Sequence, residues 1–240
     1  MNAQEQTSVR PRRGWLWVLV AMIVAIAITV PLAVLEHQRK TAVLIGDSLT
    51  AESAPSISVY LQARGYSVYP EAISGSGLLD TEVDWLARGR EFIAQYNPNV
   101  VTVEFIGDFG FLGTPPGVQG NTPTFYRYWA AAAQELENIL TSHGAQVYWV
   151  IGPPVENPAL QTTITNLDYI YEHLHAPNTA SGTPLLINVT PALTEPGGKY
   201  TEYLPGPGGG APIQVRTPDG IHLSMYGVAI FGRAIAEGIH

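Results

Sequence analysis

Three side chains near the two ends of the chain carry the types needed for serine-based acyl transfer: Ser48 in Gly46-Asp47-Ser48-Leu49, and Asp219 and His222 in Asp219-Gly220-Ile221-His222. A neutral imidazole within reach of a serine hydroxyl takes its proton during attack, and a carboxylate on the far ring nitrogen holds the tautomer. Asp219 lies three residues before His222, so one turn can bring its carboxylate to that ring. Taken singly, each residue has a plainer reading. Ser48 would be a helix cap and Asp219-Gly220 an ordinary turn. The pair of motifs makes Ser48 the candidate nucleophile, His222 the base and Asp219 the orienting acid.

Neighbouring residues complete the picture. Gly46 permits close packing where strand turns into helix, and Asp47 secures that turn through backbone hydrogen bonds. An oxyanion needs donors. The Ser48 N–H is one candidate and Gly75, in Ser74-Gly75-Ser76-Gly77, is another. Arg216 either meets an anionic substrate or, as the favoured reading, pairs with an acidic neighbour. Phe125, Tyr126, Tyr128 and Trp129 offer aromatic rings for a sugar site, though a core role suits most of them.

The elements that must position these residues follow from hydrophobic patterning. Thr41 to Ile45, Ser67 to Tyr69, Val100 to Ile106, Val147 to Ile151 and Leu185 to Val189 read as short strands. Between them lie helices that include Ser56 to Ala63, a run from a Thr81/Asp84 capping box to Tyr96, a stripe of Phe125, Trp129, Ala132, Leu136 and Ile139, and a stripe of Ile164, Leu167, Tyr171 and Leu174. Pro191 to Pro218 reads as a loop. Ser224 caps a last helix that buries Val228, Phe231, Ile235 and Ile239. Alternation of this kind predicts an α/β fold, a three-layer sandwich around a parallel sheet of about five strands, with ligands beyond the carboxyl ends of the strands.

Composition narrows the function further. A formal net charge of -8 without a basic cluster argues against nucleic acid as a partner. The absence of cysteine removes thiolate chemistry and cysteine metal sites. Arg10, Arg12 and Arg13 precede an uncharged stretch from Gly14 to Leu35, long enough to cross a bilayer. The expected organisation is therefore a cytoplasmic tail over residues 1–13, a transmembrane signal anchor over 14–35 and an extracytoplasmic domain over 41–240. Cleavage of the leader would make the domain secreted, and a buried core helix is the third alternative.

With these residues in hand, the chain resembles the SGNH or GDSL hydrolase family. Gly46-Asp47-Ser48-Leu49 reproduces the nucleophile block, Gly75 fits the glycine block, and Asp219 to His222 fits the terminal Asp-x-x-His block. The resemblance implies a flavodoxin-like SGNH hydrolase fold. It also implies a serine esterase that removes an acetyl or longer acyl group from an envelope carbohydrate or lipid through an acyl-enzyme, without metal or organic cofactor. An acyltransferase passing the group to a sugar hydroxyl and a non-catalytic envelope-binding domain are the alternatives. The third block departs from the pattern. Phe105-Ile106-Gly107-Asp108-Phe109-Gly110 stands where the family has Gly-x-Asn-Asp, whose asparagine donates to the oxyanion. An ionised Asp108 only accepts hydrogen bonds. Asp108 is then a lining residue of altered chemistry, a loop-organising carboxylate, or a protonated donor, and Asn121 reaching back from the long loop is a further candidate. Losing one donor costs about 3 kcal/mol of transition-state stabilisation.

Overall fold

Alternating strand residues face opposite sides of a sheet, so a strand buried on both faces must be apolar at every position. β1 (Lys40–Gly46), β3 (Val100–Glu104) and β4 (Gln146–Ile151) come close to that demand: only Lys40, Thr41 and Gln146 among their residues escape full burial, and Thr102 and Glu104 of β3 are the polar residues buried with the apolar ones. The structure, a computed structural model, describes Met22, residues 39–107 and residues 109–240. With β2 (Tyr66–Pro70) and β5 (Leu185–Asn188) these strands form a five-stranded sheet in the order β2-β1-β3-β4-β5, and every adjacent pair is parallel.

Helices cover both faces. Val43, Ile45, Val101, Val103, Val147 and Trp149 pack with residues of α2 (Trp85–Tyr96), α3 (Pro123–Thr141) and α4 (Pro158–Glu172), including Trp85, Trp129 and Tyr171. Ala42, Leu44, Tyr148, Val150 and Ile187 pack with Ile57 and Leu61 of α1 (Ser48–Ala63) and Phe231 and Ile235 of α5 (Met225–Gly238). Burying each large apolar side chain contributes about 1.5–3 kcal/mol, which makes these two layers the main source of stability. Several polar groups inside the layers are paired, although Trp85 Nε1 finds no hydrogen-bond acceptor among the described residues. Trp149 Nε1 donates to Glu137 at 2.9 Å, and Trp129 Nε1 to the Tyr171 hydroxyl at 3.1 Å. That hydroxyl in turn donates to the Phe105 carbonyl at 2.9 Å, holding the chain just beyond β3.

The strand order places a switch point between β1 and β3. From β1 the chain steps to β2 on one side, then returns to β3 on the other, so the segments leaving β1 and β3 diverge and open a crevice at their carboxyl ends. Ser48 follows β1 and Gly107 follows β3.

The run Ser56 to Ala63 is part of the first helix, as read: α1 begins at Ser48, where Asp47 caps it, and runs through Pro55. Several expectations need correction. α2 is capped by Asp84 alone, which accepts from the Ala87 N–H at 2.9 Å, whereas the Thr81 N–H bonds the Gly113 carbonyl. The segment from Pro191 to Pro218 contains a two-stranded antiparallel ribbon, β6 (Tyr203–Leu204) with β7 (Ile213–Gln214). The expected transmembrane signal anchor, and the single-pass membrane location derived from it, are not what the structure shows where it is described: among the described residues no helix is long and apolar enough to cross a membrane. The longest described helix, α3, has 19 residues but carries Arg127, Glu135 and Glu137. Residues 14–35 themselves lie, Met22 apart, outside the described residues.

Candidate active site

The turn from β1 into α1 is built to present Ser48. Asp47 is the N-cap, with Oδ1 accepting from the Leu49 N–H and Oδ2 from the Ile106 N–H, each at 2.9 Å. One carboxylate thus clamps the start of α1 to the chain leaving β3. Gly46 is required by space: a Cβ there would stand 2.5 Å from Thr50 Oγ1 and 2.6 Å from the Glu104 carbonyl oxygen. Ser48 occupies the first turn of α1, where backbone N–H groups have no intrahelical acceptor.

The segment carrying Asp219 and His222 folds into a tight turn before α5. The Thr217 N–H bonds the His222 carbonyl at 2.9 Å, and Gly220 takes a φ of 72° that favours glycine. Asp219 Oδ1 accepts from the Thr217 hydroxyl at 2.7 Å and from the N–H groups of Ile221 and His222 at 2.9 and 3.0 Å. Two contacts dock this turn on the rest of the fold. The Glu156 N–H donates to the Gly220 carbonyl, and the Leu223 N–H donates to Glu52 Oε1, both at 3.0 Å.

Docking brings the two ends of the chain together. His222 Nδ1 lies 2.7 Å from Asp219 Oδ2, and His222 Nε2 lies 2.9 Å from Ser48 Oγ. Because the carboxylate accepts, Nδ1 carries the proton and Nε2 is left to accept from the serine hydroxyl. Burial by itself would raise the Asp219 carboxyl, but the hydrogen bonds from His222, Ile221 and Thr217 outweigh it and hold it well below the usual carboxylate range. The imidazole therefore faces an anion at neutral pH. The side chains of His222 and Asp219 are 37% and 48% exposed, which leaves the site open to water.

A residue that sequence reasoning passed over sits under the nucleophile. Glu104, the last residue of β3, is paired in register with Gly46 and is 1% exposed, and Asp47 beside it is fully buried. Glu104 Oε2 accepts from the Thr50 hydroxyl at 2.8 Å, while Oε1 receives no N–H or O–H. Two facing carboxylates in a dry pocket cannot both ionise. Burial first, then the charge of Asp47, pushes the Glu104 carboxyl well above its ordinary value. Asp47 is raised by burial too, but its two backbone N–H donors oppose the rise. Of the two, Glu104 is the carboxyl whose environment favours the proton, and Asp47 the one whose backbone donors favour the charge. The signal available beforehand was a lone acidic residue at the end of a β-branched strand and directly before the apolar pair Phe105-Ile106.

The remaining candidates are placed as follows. Gly75, at φ 77°, lies in a turn that docks on the nucleophile segment, since the nearby Ile73 N–H bonds the Gly46 carbonyl at 2.9 Å. Phe111 packs against it. Asn121 adopts a left-handed φ of 61°, and its Oδ1 accepts from the hydroxyls of Tyr126, at 2.9 Å, and Thr163. It is joined to α3 and α4 and makes no hydrogen bond to the three residues above. Asp108 lies outside the described residues. Arg216 does not form the expected acidic pair. It is fully buried and its Nη2 donates to the Pro154 carbonyl at 3.0 Å, with no carboxylate of the described residues at ion-pair distance. Phe125 and Trp129 are core, whereas Tyr128 is 49% exposed on the outer face of α3. Among the described residues no cluster of histidine and acidic side chains is arranged to hold a metal ion.

Comparison with solved structures finds the same fold in several chains. A catalytic mutant of Axe2, an acetylxylan esterase from Geobacillus stearothermophilus, is 17% identical with a TM-score of 0.56, over 83% of this chain and 94% of that one. The psychrotrophic esterase EstA from Pseudoalteromonas sp. is 15% identical with a TM-score of 0.53, over 83% and 96%. The periplasmic domain of a lipopolysaccharide acetyltransferase from Salmonella ser. Paratyphi A is 16% identical with a TM-score of 0.56, over 84% of each chain. At these identities the likeness is one of fold. No curated protein matches the chain. Residues 41–238 match the family described as "Protein of unknown function (DUF459)", and the chain belongs to that family.

Proposed function

We propose that this protein is a serine esterase of the SGNH type, acting through an acyl-enzyme on Ser48. The observation that carries the reading is the continuous line of hydrogen bonds from Ser48 Oγ through His222 to Asp219. Esterases and an acetyltransferase with the same fold support it. In this reading the serine oxygen attacks the ester carbonyl as its proton passes to His222 Nε2, and Asp219 stabilises the imidazolium. The same proton then goes to the departing alkoxide. Water repeats the sequence in reverse and frees the acid. The N–H groups of Ser48 and Gly75 are the proposed oxyanion donors. Openness of His222 and Asp219 to solvent favours water over a second alcohol as the acceptor.

The test combines labelling with turnover on the full-length protein. An alkyl phosphonate ester should add covalently to Ser48, read as one mass adduct on its peptide, and p-nitrophenyl acetate should be hydrolysed by the wild type only. Turnover that persists in Ser48→Ala, or a folded wild type that neither labels nor hydrolyses, would refute the proposal.

A further inference from the structure

The turn that carries Asp219 and His222 closes a short hairpin. The N–H groups of Thr217 and Ser224 donate to the carbonyls of His222 and Val215 at 2.9 and 3.1 Å, and Arg216 and Leu223 form the rung between these bonds. On such a rung the backbone N–H groups point out of the hairpin. That of Arg216 faces the Glu202 carbonyl just before β6. That of Leu223 points the other way, toward α1. Leu223 is buried, so the group needs an acceptor within the protein. Glu52 Oε1 supplies it at 3.0 Å.

Glu52 lies four residues beyond Ser48, one turn along the same face of α1. Ser48 meets the His222 ring at 2.9 Å, and Glu52 meets the backbone of the next residue. Among the described residues these are the two hydrogen bonds that join α1 to the hairpin. They fare differently during acyl transfer. Once Ser48 Oγ is esterified it has no proton to donate to Nε2, so the first tie is lost at the stage when the ring must take a proton from water. The second involves no reacting atom and persists. A carboxyl at this place is otherwise disfavoured: burial raises it, as do the charges of Asp219 and Asp47, while the Leu223 N–H and His222 oppose the rise.

We propose that Glu52 is a positioning residue for deacylation: by holding the Leu223 N–H it keeps His222 over Ser48 while the acyl group occupies the serine oxygen. The proposal rests on the esterase reading of Ser48. In that step a water oxygen bonds to the acyl carbon as its proton passes to Nε2. The bond from the acyl carbon to Ser48 Oγ then breaks as Nε2 returns the proton to Oγ. A ring misplaced by about 1 Å slows such a transfer by about 10²-fold. Acylation suffers less, because the free enzyme still has the bond between Ser48 and His222.

Three substitutions test this on the full-length protein. Glu52→Ala removes the acceptor, Glu52→Asp keeps the charge but draws it back by one methylene, and Glu52→Gln keeps Oε1 in place. With p-nitrophenyl acetate the first two should lower kcat by about 10²-fold and kcat/KM by about tenfold or less, so that KM falls as well. Both should give a burst of p-nitrophenol, and acetyl-Ser48 should accumulate as a mass adduct on its peptide. Glu52→Gln should keep kcat within about fivefold of the wild type, the effect of a neutral acceptor in place of a charged one. Amide hydrogen exchange, followed by NMR with isotope-labelled leucine, reads the tie without catalysis. Leu223 should exchange faster in Glu52→Ala and Glu52→Asp than in the wild type and Glu52→Gln. Equal losses in kcat and kcat/KM without acetyl-Ser48 overturn the proposal and leave the esterase reading standing. So does a Glu52→Gln protein with a native melting temperature that is as impaired as Glu52→Asp. Leu223 exchange that depends on Glu52, in a wild type that does not label at Ser48, would uphold the tie and sink the esterase reading.

Discussion

Glu104→Gln offers a sharp check on the proton assigned to the carboxyl pair beneath Ser48. Glutamine keeps the size of the side chain and a donor toward Asp47, so the turn should hold, but it cannot ionise. In the wild type the folded state keeps a proton on Glu104 that the unfolded chain has lost above the ordinary glutamate value. The folded state then binds one more proton than the unfolded, and stability falls as pH rises toward the raised folded value. One proton corresponds to about 1.4 kcal/mol per pH unit. Glu137 and Asp168, both lifted to about 7 by burial, add slopes of the same sign, and they do so equally in the wild type and the variant. Asp219 has the opposite shift, and its contribution changes only below the ordinary carboxylate range, outside the interval compared. The difference between the two proteins therefore reports on the Glu104–Asp47 pair. Urea unfolding at about pH 5.5 and about pH 6.5 should show the wild type losing about 1.4 kcal/mol more than Glu104→Gln across that interval. Parallel stability curves would refute the protonated assignment. So would a variant that loses stability faster than the wild type with rising pH.

Two further outcomes follow from the site. Asp219→Asn keeps side-chain size but no longer fixes the proton on His222 Nδ1. Turnover of p-nitrophenyl acetate should fall by about 10³–10⁴, as it does when the orienting acid of a serine triad is neutralised, and a fall below tenfold would argue against the assigned role. Gly46→Ala places a methyl group 2.6 Å from the Glu104 carbonyl oxygen, which is backbone and cannot move aside. Overpacking of this kind costs about 1–3 kcal/mol. A melting temperature within error of the wild type would show that the strand end is looser than described.

The amino-acid sequence alone determined whatever depends on neighbours in the chain. Strand and helix alternation is legible because apolar periodicity is a short-range signal, and the sheet of five parallel strands follows from it. The Asp47 cap, the turn joining Asp219 to His222 and the Ser224 cap of α5 each join residues three positions apart or fewer, so residue type suffices to read them. The Thr81/Asp84 reading failed at the same range because the Thr81 backbone is claimed by a distant loop. Tertiary structure alone decided what depends on residues far apart. Ser48 and His222 meet across 174 positions only because α1, α5 and Glu52 dock the two segments on one side of the sheet. Glu104 becomes the proton partner of Asp47 through the register of β3 on β1, which no local pattern encodes. Arg216 is buried against a carbonyl because the turn before α5 packs on the segment after β4, so its charge was a poor guide to its partner. The direction of the Asn121 amide is set by hydroxyls on two different helices. Local geometry thus made Ser48, Asp219 and His222 candidates, and long-range packing made them one site.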